Sequence, residues 1–380
     1  MGDRRSGSSF LPTTVIEREK LILAPYAMHS AVSRGRVYEE APHPYRGPFQ
    51  RDRDRVVHCS AFRRLSGKMQ VFTGDRGDYH RTRLTHTMEV ASIARTIGRA
   101  LALNEDLIEA LALLHDIGHP PFGHAGEDAL HECLADAGGF SHNRFALTIV
   151  QDLEHRYHRL PGLNLTHEVL EGQLARVDKS FQDQQKAPLL EVQVVDAADS
   201  IAYNAHDLDD ALKLGLVQLE DMSHIALVTH CIERVEQREP RLSLLLLRSA
   251  IVHELIDVQV SAVVEHSRQF LASSGWQSVD DVRRATFRVG PDPQFNEQKT
   301  QLHRYLYEHV YRHPDLISVR RLAQQQLREM FEFLCLHPDQ MPEEFQRRSR
   351  RVGLARSVAD YLAGMTDRFC QQTYRELIKS

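Results

Sequence analysis

The chain has 380 residues, 42% of them hydrophobic and 26% charged, and its formal net charge is −5. That length suits one large domain or two ordinary ones and can bury a sizeable core, and neither the charged fraction nor the net charge suggests a disordered chain or a general nucleic-acid binder. Five cysteines, none in a CxxC pair, argue against a disulfide framework or a cysteine zinc site and fit a reducing cytoplasm. The longest leucine run, "LSLLLL" at 242–247, is far too short for a membrane span.

The chain begins with "MGDRRSGSSF", a lipidation-like Gly2…Ser6 spacing beside an Arg pair, with no apolar segment behind it. It reads as a frayed tail. Residues 1–45 read as an arm, with a short helix near Glu17–Leu23 and then the turn-rich "SRGRVYEEAPHPYRGP". A helix is expected from Asp52, with Val57, Ala61, Phe62 and Leu65 on one face. "TGDRGDYHRT", residues 73–82, reads as a loop. The next helix, Thr85 to Leu101, turns Val90, Ile93, Ala94 and Ile97 inward. Asn104 caps the one after it, with Glu105 and Asp106 in its first turn, where carboxylates suit the helix dipole. Its apolar residues are Leu107, Ile108, Leu111 and Leu114, and Gly118, Pro120 and Pro121 stop it. Residues 189–212 read as one long helix. "ASSGWQ" and "RVGPDPQ" mark an irregular insert at 272–299. No repeat or low-complexity linker divides the chain. The expected fold is all-α: a metal-site core over about 52–215 and a helical C-terminal part over about 216–380, within one domain from 46 onward.

Three segments carry candidate chemistry. "LLHDIGHPPFGHAGED", residues 113–128, crowds His115, Asp116, His119, His124, Glu127 and Asp128 around a helix stop. His115 falls on the inward face, in the last turn with Asp116. Adjacent side chains on a helix splay by about 100°, so both reach one ion only if the backbone adjusts at the helix end. The alternative is a buried His paired with its neighbour. "HRTRLTHTMEV" puts His86 at a helix start, where a lone His is more often a cap or surface residue than a ligand. In "LLEVQVVDAADSIAYNAHDLDDAL", Asp196, Asp199, Tyr203, His206, Asp207 and Asp210 recur at three- or four-residue steps on a helix that is otherwise mostly apolar, hence buried. Buried acids need a metal, arginines or a polar cavity. Asp209 and Asp210 read instead as an exposed acidic face.

Two imidazoles and two carboxylates make a mixed N/O set. It suits Mn²⁺, Fe²⁺, Ni²⁺ or Mg²⁺ better than a structural zinc. Between Arg34 and Arg83 there are twelve Arg/Lys and six Asp/Glu, a local balance of +6. "FRRLSGK", 62–68, concentrates three of these cations, which suggests a phosphate-bearing substrate. Arg51, Arg53 and Arg55 read as a solvated face paired with Asp52 and Asp54.

The order His86, His115–Asp116, Asp199 resembles the H…HD…D signature of HD-domain metal-dependent phosphohydrolases. "FRRLSGKMQVF", "RTRLTHTMEVA", "HDIGHPPFGHAGE", "GGFSHN", "AADSIAYNAHDLDD" and "VADYLAGMTDRF" are similar to consecutive blocks of bacterial dGTP triphosphohydrolase-like proteins, over about residues 45–370. Met69, where Thr is expected, and Thr87–Met88, where Ser–Leu is usual, depart from the pattern. The resemblance implies an all-α HD-domain bundle with additional C-terminal helices. It implies hydrolysis of deoxynucleoside triphosphates to deoxynucleoside and triphosphate. Carried over by residue, His86, His115, Asp116 and Asp199 match the ligands of a divalent metal (Mg²⁺ or Mn²⁺ first, then Fe²⁺, Ni²⁺ or Zn²⁺). His124 and Glu127 match the catalytic pair. Arg83, His119, His142, Tyr203 and Asp207 match phosphate- and sugar-facing positions. Gln70 matches the reader of the deoxyribose 3′-hydroxyl, with Val71 beside it where a 2′-hydroxyl would crowd. The role of "VADYLAGMTDRF" does not follow from the residues; pairing of Asp360 and Asp367 with Arg356 and Arg368 is the simplest expectation. A cytoplasmic homo-oligomer, a hexamer or tetramer, is implied by analogy; an allosteric nucleotide stays open. Alternatives are an HD-type phosphodiesterase or nucleotidase, and a non-catalytic nucleotide or single-strand nucleic-acid binder.

Overall fold

The computed structural model describes residues 14–70, 81–158, 160–177 and 187–379. Among these the regular structure is helical, and extended backbone pairs only as isolated bridges such as Met69 with Thr82. The fold is all-α. Numbering the α-helices of seven residues or more, the first half contains α1 (Val15–Ile22), α2 (Pro48–Val57), α3 (Arg83–Ala100), α4 (Glu105–Leu114), α5 (Gly123–Cys133), α6 (His142–Thr148), α7 (His167–Val177) and α8 (Leu190–Lys213). The second half contains α9 (Ala226–Arg238), α10 (Leu244–Ser274), α11 (Pro293–Leu306), α12 (Pro314–Leu336), α13 (Glu343–Val352), α14 (Leu354–Ala363) and α15 (Asp367–Ile378).

Local chemistry sets most boundaries. Thr14 and Glu17 form a reciprocal capping box on α1. Helix α2 starts four residues before the expected Asp52, because Pro48 in the first turn costs no hydrogen bond and presets φ. The Thr82 hydroxyl accepts from Thr85 N–H at the head of α3, and the Asn104 side chain accepts from Leu107 N–H at the head of α4. The insert expected at 272–299 is instead largely helical. α10 runs to Ser274 and stops at Gly275, whose φ is +67°; Val279–Arg284 forms a short helix; and Asp292 caps α11 ahead of Pro293. Gly275 and Pro293 stand at helix ends, whereas Gly290 and Pro291 lie in the short connection 285–292. The expected loop at 73–82 lies mostly outside the described residues.

Helix α8 joins two cores. Val192, Val194, Val195, Ala198, Ile201 and Ala202 belong to the larger, which α3, α4 and α12 also line. Ala205, Leu208 and Ala211 belong to the smaller, with α9, α11 and the first half of α10. No helix among the described residues is long and apolar enough to cross a membrane. All five cysteines are unpaired.

Tertiary packing overturns two charge expectations. Asp209 is buried and Asp210 half-buried. Asp209 pairs with Lys213 at 2.5 Å and with Arg248 at 3.3 Å, and Asp210 with Arg81 at 2.9 Å. The face that looked solvated is covered by α10 and by the segment leading into α3. The arginines of α2 are likewise not a solvated face. Asp52 is fully buried against Arg36 and Thr166, and Arg55 is buried and paired with Glu40 at 2.5 Å. Only Arg53 keeps the expected partner, Asp54.

Candidate active site

Helix α4 ends at Leu114, and the chain tightens from i→i+4 to i→i+3 bonding: Ile117 N–H donates to Leu114 O and His119 N–H to Asp116 O. Gly118 is required here, because a Cβ would lie 2.0 Å from His142 O on the first turn of α6. Gly123 opens α5 at φ +59°, and a Cβ there would come within 2.8 Å of Arg83 Nη2.

Three side chains from three helices converge. His86 Nε2 on α3 is 3.2 Å from Asp199 Oδ1 on α8, and His115 Nε2 at the end of α4 is 3.7 Å from the same oxygen. Two ligands about 2.1 Å from one ion and 90–120° apart stand roughly 3.0–3.6 Å from each other, so these separations suit a shared ion. His115 Nε2 is buried without a hydrogen-bond partner, an unusual cost unless something binds there. The donor set therefore fits a divalent cation. Asp116 stands beside this group. Its Oδ1 is 3.7 Å from His115 Nε2 and 2.8 Å from His119 Nδ1, while Oδ2 accepts from Arg83 at 2.9 Å. Burial alone would raise the Asp116 carboxyl, but Arg83 and the neighbouring imidazoles hold it well below its usual range. Asp199 is lowered as well, since His115 and His86 outweigh its burial.

A second group sits across the same cavity, whose volume is about 350 Å³. Glu127 on α5 accepts at 2.8 Å from the His142 ring and at 2.9 Å from His142 N–H, and lies 3.2 Å from His124 Nδ1. Its nearer partner is thus His142, not His124. The His119 and His142 rings stack at 3.8 Å, with His124 edge-on. Although burial opposes it, the bonds to His124 and His142 keep the Glu127 carboxyl far below its usual range. Burial first, then Arg83, pushes His119 well down, toward the neutral imidazole. The His124 side chain is 64% exposed.

Of the other expected residues, Gln70, Arg83 and Tyr203 line the cavity. Gln70 Oε1 is buried without a partner. Asp207 is buried but stands off the wall, its Oδ2 unpartnered, and burial holds it well above the ordinary carboxyl range. Val71 lies outside the described residues. The basic run does not supply the site's cations as expected. Lys68 is buried, donating to His119 O and Ala363 O, and Arg63 reaches His58 O. Arg64 lines a different cleft. Besides Arg83, the cavity's cations are Arg176 on α7 and Arg320 on α12. Sequence reading missed both, and Tyr311, which stacks on Tyr203. Arg176 answers the acid stripe: it is 2.6 Å from Asp196 and 3.8 Å from Asp199. Unpaired buried acids signal such a partner but not its place in the chain.

The C-terminal block acts from outside the cavity. Asp360 pairs with Arg348 rather than Arg356, at 2.7 Å. Asp367 does not pair with Arg368; its two oxygens accept from Met69 N–H and Phe122 N–H, each at 2.9 Å. One carboxylate thus ties the segment bearing Gln70 to the turn bearing His119 and His124.

Residues 83–204, which hold the metal-type cluster, match the HD domain, and residues 289–376 match the phosphohydrolase-associated domain. The chain is 43% identical over 365 residues to a deoxyguanosinetriphosphate triphosphohydrolase-like protein of Thiobacillus denitrificans, covering 93% of this chain and 96% of that one. Proteins of the same name match from Ralstonia nicotianae (40%, covering 93% and 94%) and Brucella suis (41%, covering 93% and 95%). With the helical fold and the converging His and Asp side chains, these matches place the chain among the deoxyguanosinetriphosphate triphosphohydrolase-like proteins, HD-domain phosphohydrolases.

Proposed function

We propose that the protein hydrolyses deoxynucleoside triphosphates to deoxynucleoside and triphosphate with a divalent metal held by His86, His115, Asp116 and Asp199. The observation that carries this reading is the convergence of His86 Nε2, His115 Nε2 and Asp199 Oδ1 on the wall of a cavity that also holds Arg83, Arg176 and Arg320. A bound ion there would polarise the phosphoryl group and acidify a water. Arg83 and Arg320 bind phosphate oxygens, and Arg176 pairs with Asp196 and Asp199. Asp116, whose Oδ1 is 3.7 Å from His115 Nε2, would complete the ligand set.

His124 serves as the proton donor to the leaving 5′-oxygen. It is exposed to the cavity with a carboxylate 3.2 Å away, whereas burial and Arg83 favour neutral His119. A proton donor matters here because a nucleoside alkoxide leaves poorly. Glu127 orients His142 and His124 together. Tyr203 and Gln70 face the sugar and base side, with Val71 adjacent in sequence and Asp207 buried behind the wall. The experiment is a product assay with the four dNTPs and GTP, in Mg²⁺ and in Mn²⁺. Triphosphate and deoxynucleoside support the reading. Pyrophosphate with monophosphate overturns it in favour of another phosphohydrolase, and binding without turnover overturns it in favour of a nucleotide-binding protein.

A further inference from the structure

We infer that Tyr311 is a specificity-determining residue: its hydroxyl reads the edge of the nucleobase in the cavity that binds the deoxynucleoside triphosphate. The inference rests on the function proposed for that cavity and goes beyond it in naming the group that meets the base.

A buried polar atom without a hydrogen-bond partner destabilises a fold, so such atoms are rare. On a cavity wall, each marks a place where a ligand completes the bonding. Gln70, His115 and Tyr311 all line this cavity, and among the described residues nothing hydrogen-bonds Gln70 Oε1, His115 Nε2 or the Tyr311 hydroxyl. Arg83 Nε is a further case, suited to a phosphate oxygen. The proposed ion accounts for His115, and the deoxyribose 3′-hydroxyl for Gln70. A 2′-deoxyribose esterified at its 5′-oxygen has no other hydroxyl. The polar edge that remains on the substrate is that of the base, and the group that remains on the wall is the Tyr311 hydroxyl.

The fold uses every part of Tyr311 except this hydroxyl. Tyr311 ends the π-helical turn Tyr307–Tyr311 that follows α11, a kind of turn that recurs at functional sites. Its carbonyl accepts from Arg320 Nη1 at 3.3 Å, and the Arg320 guanidinium lies 5.4 Å from the centre of its ring. The ring is buried in the smaller core, with the Tyr203 ring 5.8 Å away and only 3° from parallel. A phenylalanine would make all of these contacts. The same contacts hold the phenol at a fixed point, so little ordering is needed when a substrate meets it. Bases carry their donors and acceptors at different places on their edges, so a fixed hydroxyl pairs better with one base than with another. The flat tyrosine rings also suit a planar base. Tyr311 and Arg320 both lie in the stretch that matches the phosphohydrolase-associated domain, so that stretch supplies base selection to a site whose His and Asp cluster comes from the HD stretch.

The test is equilibrium binding to the full chain loaded with Mn²⁺. The ligands are the four dNTPs, each with CH₂ in place of the 5′-oxygen so that this bond does not hydrolyse, and inorganic triphosphate. Tyr311→Phe removes the hydroxyl and nothing else. It should lose about 3–10-fold in affinity for the best-bound base and stay within twofold of wild type for the weakest, so that preference among the four narrows. Inorganic triphosphate should bind within twofold of wild type, and the Tm should equal or exceed that of wild type. Affinities within twofold of wild type for all four analogues overturn the inference and leave the proposed function standing. An equal loss for all four also overturns it, by putting the hydroxyl on the sugar, and an equal loss for inorganic triphosphate does so by putting it on the phosphates. A lowered Tm shows that the fold itself holds the hydroxyl and overturns the inference as well. A wild type that binds the analogues no more tightly than inorganic triphosphate removes nucleoside recognition, and with it both the proposed function and this inference.

Discussion

At the scale of single residues, the candidate site is a matter of which atoms are left over after local bonding. His115 Nε2 is left without a partner, whereas Asp116 is divided between Arg83 and His119. His115→Ala or Asp199→Ala should therefore abolish stoichiometric metal, measured by elemental analysis, with helix content near wild type. Retained metal in either variant counts against the assignment. His124 and His119 are only 5.5 Å apart by ring centroid, yet they differ in burial. His124→Ala should keep metal and dNTP binding and lose about 10²–10⁴-fold in kcat. A substrate with a good 5′-leaving group should be rescued in His124→Ala far more than in His119→Ala, and equal rescue would place the proton elsewhere. Gln70 Oε1 waits unpaired at the wall; if it reads the sugar, ribonucleotides should be poor substrates, and equal turnover of GTP and dGTP would show that it does not.

At the scale of elements, the site is fastened from behind. The Asp367 carboxylate at the head of α15 holds two backbone N–H groups from segments far apart in sequence. Asp367→Ala leaves both unpaired, at about 1–3 kcal/mol each, and lets Gln70 and the His119–His124 turn drift apart. The expected outcome is a lower Tm together with a raised KM; a lower Tm with unchanged kinetics would make Asp367 purely structural. Lys68, in the same seam, is pushed down to about 7 by burial first and by Arg64 next. The unfolded chain keeps the ordinary value of 10.5. Between those values unfolding takes up a proton, so the lysine's contribution to stability rises with pH. The Tm of wild type minus that of Lys68→Met should grow from pH 7 to pH 10. A flat or falling difference would show that the ammonium is retained.

At the scale of the whole molecule, α8 carries Asp199 in the larger core and Leu208 in the smaller. One continuous helix through both is expected to couple the cores in unfolding. Leu208→Ala should cost about 2–5 kcal/mol, and unfolding followed by far-UV and near-UV circular dichroism should still coincide; separated transitions would show two independent units.

Helicity, the starts of the capped helices and the order of the imidazole and carboxylate motifs are readable along the chain. These follow from period, cap chemistry and motif order, all local properties of the chain. Asn104 and the stop after Leu114 were legible for that reason, whereas the acid stripe is only partly buried: Asp207 is buried, Asp199 half-buried and Asp196 exposed. Which partner each charge takes depends on how the helices pack. Asp209 looked solvated, and Asp360 and Asp367 looked ready to pair with nearby arginines. Arg176 and Arg320 gave no sign of facing the cavity. Buried charges find partners through space, and a buried carboxylate is stabilised by whatever donor the fold brings to it, whether Arg176 on the next helix or two backbone amides 245 and 298 residues away. Contacts at that separation depend on helix packing, which no window of sequence contains.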